Sequence, residues 1–120
     1  MDVRFKKLKK ENKKLSEEQI LDWTVQLLSA VNYMHSRRVL HRDLKARNIF
    51  LKREMIKIGD FGISRILQGT MDMAQTFTGT PYYMSPEVLK HEGYNSKSDI
   101  WSIGCLIYEV IDYIITNNTY

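Results

Sequence analysis

His41-Arg42-Asp43-Leu44-Lys45-Ala46-Arg47-Asn48 is a polar, ionisable run between two apolar ones, and Asp60-Phe61-Gly62 closes the segment that follows it. Between the two lie Ile49-Phe50-Leu51 and Met55-Ile56-Lys57-Ile58, strand-like pieces separated by Lys52-Arg53-Glu54, a spacing that predicts a tight hairpin. A third strand-like piece, Val39-Leu40, leads into the polar run. Two loops carrying ionisable residues therefore leave the ends of neighbouring strands. Asp43, Lys45 and Asn48 share one loop and can converge on a polyphosphate and a hydroxyl, while Asp60 crosses from the adjacent strand end to hold a metal. Such a set supports phosphoryl transfer, where catalysis is mostly positioning and charge neutralisation.

Outward from this centre the sequence reads as helices. Ser16-Glu17-Glu18-Gln19 forms a capping box with Leu15 stapled against Ile20, and Ile20, Thr24, Leu27, Leu28, Val31 and Met34 recur at helical spacing. A long amphipathic helix is predicted over about 16–36. Residues 63–83 have no firm periodicity and form a long loop, of the kind that is usually functional in a compact domain. Pro86 opens a short helix over about 86–91, and Ser96 or Ser98 caps a second long helix to about residue 112, with Ile100, Ile103, Leu106, Ile107 and Val110 as its apolar face.

Composition narrows the classes. The chain has 120 residues, 43% of them hydrophobic, enough for one small domain. The net charge of +4 is concentrated in residues 1–14, which carry +5 and leave the remainder at −1. A basic leader with one phenylalanine is a solvated helix face rather than a nucleic-acid platform. Cys105 is alone, so no internal disulfide framework or cysteine zinc site can form, and the residue is expected to be a small core side chain in a reducing compartment. Ile100 to Ile115 is interrupted by Glu109 and Asp112 and falls short of the ~20 apolar residues of a membrane span. An intracellular protein of cytoplasm or nucleus, without a membrane partner, is the expectation.

Taken singly, Asp43 reads as a turn cap and His41 as a buried structural histidine. Taken together, with each identity expected at about one position in twenty, they are no accident of composition. The chain resembles a eukaryotic protein kinase catalytic domain, matching H-R-D-L-x-x-x-N at His41–Asn48 and D-F-G at Asp60–Gly62 without a substitution. Gly79-Thr80-Pro81-Tyr82-Tyr83-Met84-Ser85-Pro86-Glu87 resembles the peptide-binding loop of serine/threonine kinases, with Ser85 in place of the usual alanine of A-P-E. Lys45 agrees with that class, although Ala46-Arg47 has the tyrosine-kinase form. Asn48-Ile49-Phe50-Leu51 and Thr76-Phe77 bring the resemblance to the NimA-related kinases, and Lys57–Gly62 and Thr76–Thr80 narrow it within that group.

The resemblance implies an α+β fold, the mainly helical centre of a kinase large lobe with short hairpins. Residues 1–112 would be a partial catalytic domain and 113–120 a divergent tail, with the small lobe absent. Asp43 would be the catalytic base and Lys45 would steady the transferring phosphate of ATP. Asn48 and Asp60 would ligate Mg2+, and Phe50 would sit beneath the adenine. Arg42 would meet a phosphate on Thr76 or Thr78, Thr80 would bond near Asp43 and Lys45, and Asp99 would bind backbone near His41 and Arg42. The partners would be ATP and protein substrates presenting serine or threonine. The six glycines, at 59, 62, 69, 79, 93 and 104, make no G-x-G-x-x-G loop, and no V-A-I-K strand lysine can be assigned. The 120 residues alone are therefore expected to be inactive, a non-catalytic interaction or decoy fragment being the alternative. Glu87 is expected to be either solvated or re-paired, and the two long helices to show bare apolar faces.

Overall fold

In a computed structural model of the chain, the structure describes residues 15–59 and 81–117. The basic leader lies outside them, as does most of the predicted long loop. Helix α1 runs Glu17–Ser36 and starts as its capping sequence dictates: Ser16 is extended, and its Oγ accepts the Gln19 amide at 3.2 Å. Leu15 is buried and Ile20 packs against the same core, as a hydrophobic staple requires. Trp23, Leu27 and Val31, at successive four-residue steps, are the buried stripe of the helix. Arg38, at a φ of 58°, turns the chain back, and the Val39 amide closes on the Met34 carbonyl at 3.0 Å.

Strands β1 (Ile49–Lys52) and β2 (Met55–Ile58) make the antiparallel hairpin, with Ile49 opposite Ile58 and Lys52 opposite Met55. Its turn is shorter than predicted: Lys52 completes β1, and Arg53-Glu54 alone reverse the chain, Arg53 at a φ of 56°. Gln26 of α1 clamps the hairpin, accepting the Ile56 amide on Oε1 at 2.7 Å and donating through Nε2 to the Glu54 carbonyl at 3.2 Å.

The short helix α2, Pro86–Leu89, stops two residues before the predicted end, and helix α3 spans Ser96–Asn117. Neither serine caps α3. Asn95 does, through Oδ1 to the Lys97 amide at 2.8 Å, and Ser98 reaches back to accept the Asn95 amide at 3.2 Å. The helix continues past residue 112 because Ile114 still packs against the core and no glycine or proline follows Gly104 within it. Ile103, Leu106 and Val110 meet Trp23, Leu27 and Val31, with Leu44 and Ile49 from the loop and hairpin between them. The fold is α+β: helices with, among the described residues, one two-stranded sheet. Among the described residues, apolar side chains stand exposed on the outer faces of both long helices, as expected: Leu21 and Val25 on α1, Trp101, Tyr108 and Ile111 on α3. Leu28, read from the sequence as part of the apolar stripe of α1, is exposed as well, because the buried stripe follows Trp23, Leu27 and Val31. No described helix is long and apolar enough to cross a membrane.

Candidate active site

The loop between Leu40 and β1 is held in place from below by one carboxylate. Asp99, fully buried in the first turn of α3, accepts the backbone amides of His41 at 3.0 Å and Arg42 at 3.1 Å, the contact expected for it. It also bonds His35 Nε2 at 2.8 Å and the hydroxyl of Tyr94. Burial and then the Asp99 charge push the Tyr94 phenol well above the ordinary tyrosine range, so it stays a donor. His35 and Tyr94 were not singled out by sequence reasoning. A histidine in the last turn of α1 is a weak signal for the first, and nothing local marks the second.

His41 is buried, as the plainer reading of a lone histidine requires, yet it is also part of the site's frame. The Asp43 amide donates to its Nδ1 at 3.2 Å, so the ring proton sits on Nε2 and is donated to the Gly59 carbonyl at 3.1 Å. Gly59 in turn donates its amide to the Asn48 carbonyl at 2.9 Å. The residue preceding Asp60 is thus tied at both backbone groups to the polar loop. Gly59 also leaves room for the Phe50 ring: a Cβ there would stand 2.6 Å from Phe50 Cε2. Phe50 itself is half exposed.

Three of the singled-out side chains converge. Lys45 Nζ lies 2.9 Å from Asp43 Oδ2, and Asn48 Nδ2 donates to the same oxygen at 3.1 Å and to the Asp43 carbonyl at 2.8 Å. The 3₁₀ turn Ala46–Asn48, closed by the Asn48 amide on the Lys45 carbonyl at 2.9 Å, brings Asn48 back under Asp43. Both amide hydrogens of Asn48 are directed at Asp43, which turns its Oδ1 to the other side. That oxygen is a donor of the kind a hard divalent cation takes, so Asn48 fits a magnesium ligand. Among the described residues no cluster of histidine, cysteine, aspartate or glutamate makes a metal site by itself. Asp60, Thr76, Thr78 and Thr80 lie outside the described residues.

Arg42 stands at a φ of 70°, its guanidinium 5.9 Å from the Tyr94 ring and its Nε buried without a hydrogen bond among the described residues. Of the two outcomes expected for Glu87, solvation or a new partner, the structure shows a partner: Ser98 Oγ donates to Oε1 at 2.7 Å. The neighbouring hydroxyls of Ser85 and Ser98 hold its carboxyl below the usual carboxylate range, although only Ser98 is within hydrogen-bonding geometry of it.

Comparison with known proteins agrees with this geometry. A model of the protein kinase domain matches residues 1–116. Serine/threonine-protein kinase Nek11 of Mus musculus is 57% identical over 92% of the chain and 18% of its own length. Nek11 of Homo sapiens is 56% identical over 92% of the chain and 17% of its own. Serine/threonine-protein kinase Nek1 of Mus musculus is 52% identical over 78% of the chain and 8% of its own. The chain therefore spans less than a fifth of the length of these relatives.

Proposed function

The chain belongs to the protein kinase domain family, in its NimA-related branch, and from that premise we propose that it serves transfer of the ATP γ-phosphate to serine and threonine hydroxyls of proteins. The convergence of Lys45 and Asn48 on Asp43 carries this reading. Asp43, fixed from two sides and a quarter exposed, accepts the proton of an incoming hydroxyl. Lys45 brings a positive charge beside it, where the equatorial oxygens of the transferring phosphoryl group gather negative charge. Asn48 Oδ1 and Asp60 would hold Mg2+, which when bound supplies neutralisation of the phosphate charge. Phe50 presents a ring for the adenine, Thr80 a hydroxyl toward the substrate, and Arg42 a cation for phosphate on Thr76 or Thr78. An intracellular location fits a donor that is the cell's own ATP.

The 120 residues contain neither a glycine-rich phosphate cover nor an assignable strand lysine, so by themselves they are proposed not to turn over. The test is γ-phosphate transfer by the native protein that carries this chain, on serine, threonine and tyrosine peptides. Asp43→Asn is expected to lower serine and threonine phosphorylation by about 10²–10⁴-fold. Undiminished transfer by that variant, or tyrosine accepted as readily as serine, would overturn the proposal. Calorimetry of the isolated 120 residues with Mg-ATP should show no heat, and micromolar binding would contradict the inactivity assigned to them.

A further inference from the structure

Where the end of α1 meets the chain entering α3, a cavity of about 330 Å³ is lined by His35, Arg38, Leu40, Tyr94, Asn95 and Ser96. None of Arg42, Asp43, Lys45 and Asn48 lines it, and neither does any carboxylate. Asp99, to which two of the lining residues bond, is fully buried and engaged by His35, the Tyr94 hydroxyl and the amides of His41 and Arg42. Arg38 is fixed beside His35 by its backbone, at a φ of 58° with its amide on the His35 carbonyl at 2.9 Å. Its guanidinium makes no ion pair among the described residues. Asn95 spends Oδ1 on the Lys97 amide, which leaves the two N–H groups of its Nδ2 unspent, and the Ser96 hydroxyl is exposed. His35 is held by one nitrogen only: an ionised Asp99 accepts, so Nε2 carries the proton of that 2.8 Å bond. Nδ1 then presents a lone pair, has no partner among the described residues and remains accessible.

A guanidinium, an amide NH2 and a hydroxyl around one concavity, with no acid among them, select an oxygen-rich anion. The imidazole narrows the choice. A carboxylate or a sulfate has no proton at neutral pH to offer the Nδ1 lone pair. A phosphoryl group does, because its last proton leaves near neutrality. One proton shared between the phosphoryl oxygen and Nδ1 makes the same hydrogen bond whichever side holds it. The remaining oxygens are then free for the Arg38 fork and for Asn95 and Ser96, an arrangement a planar carboxylate cannot span. We propose that this cavity binds a phosphoryl group, with Arg38 as its cation and His35 as the partner that shares its proton. Because His35 also holds Asp99, the occupant is one side chain away from the carboxylate that carries the His41 and Arg42 amides. The site does not depend on phosphoryl transfer at Asp43.

The native protein that carries this chain is titrated calorimetrically at pH 7 with inorganic phosphate, a phosphoserine peptide and sulfate. Phosphate or the peptide should bind about tenfold more tightly than sulfate, the worth of one good hydrogen bond to a charged group. Arg38→Asn should weaken that binding by about tenfold or more, and asparagine tolerates the left-handed backbone of this position. Ser96→Asp, which sets a carboxylate in the lining from an exposed position, should do the same. His35→Gln keeps an N–H for Asp99 but removes Nδ1, and should abolish the preference over sulfate. Arg42→Gln should bind as the parent does. Circular dichroism confirms that each variant is folded. Tighter binding of the peptide than of phosphate identifies the ligand as a phosphorylated segment, the reverse as a free phosphate, and both support the site. Binding that survives Arg38→Asn and Ser96→Asp, or that is lost only in Arg42→Gln, overturns it. Sulfate bound as tightly as phosphate, or no heat with either phosphoryl ligand, overturns it as well.

Discussion

Asp99 Oδ2 stands 3.0 Å from the backbone nitrogen of His41, 58 positions earlier in the chain, and so fastens the first turn of α3 to the start of the His41–Asn48 loop. The other carboxylate oxygen takes the Arg42 amide, at the point where that residue adopts a left-handed φ of 70°. A non-glycine residue is held there only when its surroundings over-determine it.

Replacing Asp99 therefore damages stability and the site together. Asp99→Asn presents an amide NH2 toward amide donors and leaves one of them unpaired, a cost of about 2–3 kcal/mol; Asp99→Ala orphans both and should cost more. Urea unfolding followed by circular dichroism measures this. An alanine variant within about 0.5 kcal/mol of the parent, the range of an ordinary surface change, would show that Asp99 does not hold the loop.

The parts of this fold that were legible in the sequence are those decided by neighbours in the chain. Ser16, Gln19, Leu15 and Ile20 announce the start of α1 because capping is a matter of three or four residues. The His41–Asn48 loop was legible as a pattern of identities, and its placement of Asp43, Lys45 and Asn48 follows from one short turn. The choice of Asn95 over Ser96 or Ser98 as cap was not legible, since all three can accept an amide and only the path of the chain into α3 decides. The end of α3 lies beyond the predicted residue 112 because Ile114 is kept helical by core it meets only in the fold. His35 was invisible for the same reason, since its partner Asp99 is 64 residues away. Tyr94 lies only five residues from Asp99, but it precedes α3 and only the turn into the helix brings its hydroxyl to the carboxylate.

Gln26 is another such tertiary contact and gives a second prediction. It is the acceptor of the Ile56 amide and a donor to the Glu54 carbonyl, so Gln26→Ala strips both groups at the outer end of the hairpin. Opening of the hairpin should become easier by about 1–2 kcal/mol, which is about 5–30-fold faster exchange of the Ile56 amide proton by NMR. Gln26→Glu retains an oxygen for Ile56 but sets a carboxylate against Asp22, 2.7 Å from the present amide nitrogen, and should protect Ile56 less than the parent. Unchanged exchange in both variants would show that the β1–β2 pairing suffices without the clamp.

The third prediction concerns Gly59 and Phe50. Gly59→Ala forces the ring away from a Cβ that would otherwise approach to 2.6 Å, and displacing a side chain in this way costs about 1–3 kcal/mol. In a Phe50→Ala background the same change should be nearly free. A double-mutant cycle by urea unfolding is expected to give a coupling of about 1 kcal/mol or more. A cycle that closes to zero would mean that Gly59 is required for its backbone rather than for the ring.

The last prediction follows from the half-buried thiol of Cys105, expected from sequence to be a small core residue and found instead lining, with Tyr83 and Trp101, a cavity at the side of α3. Burial pushes it above the ordinary thiol range, because desolvation disfavours the thiolate. The thiolate is the form that reacts, so alkylation by iodoacetamide at pH 8 should be slower in the folded chain than in urea, with a rate profile displaced to higher pH. The sign for stability follows. The fold favours the neutral thiol, so this contribution is complete below the free thiol's pKa and is lost as pH rises through the displaced one. Rates equal in folded and unfolded chain would refute the shift.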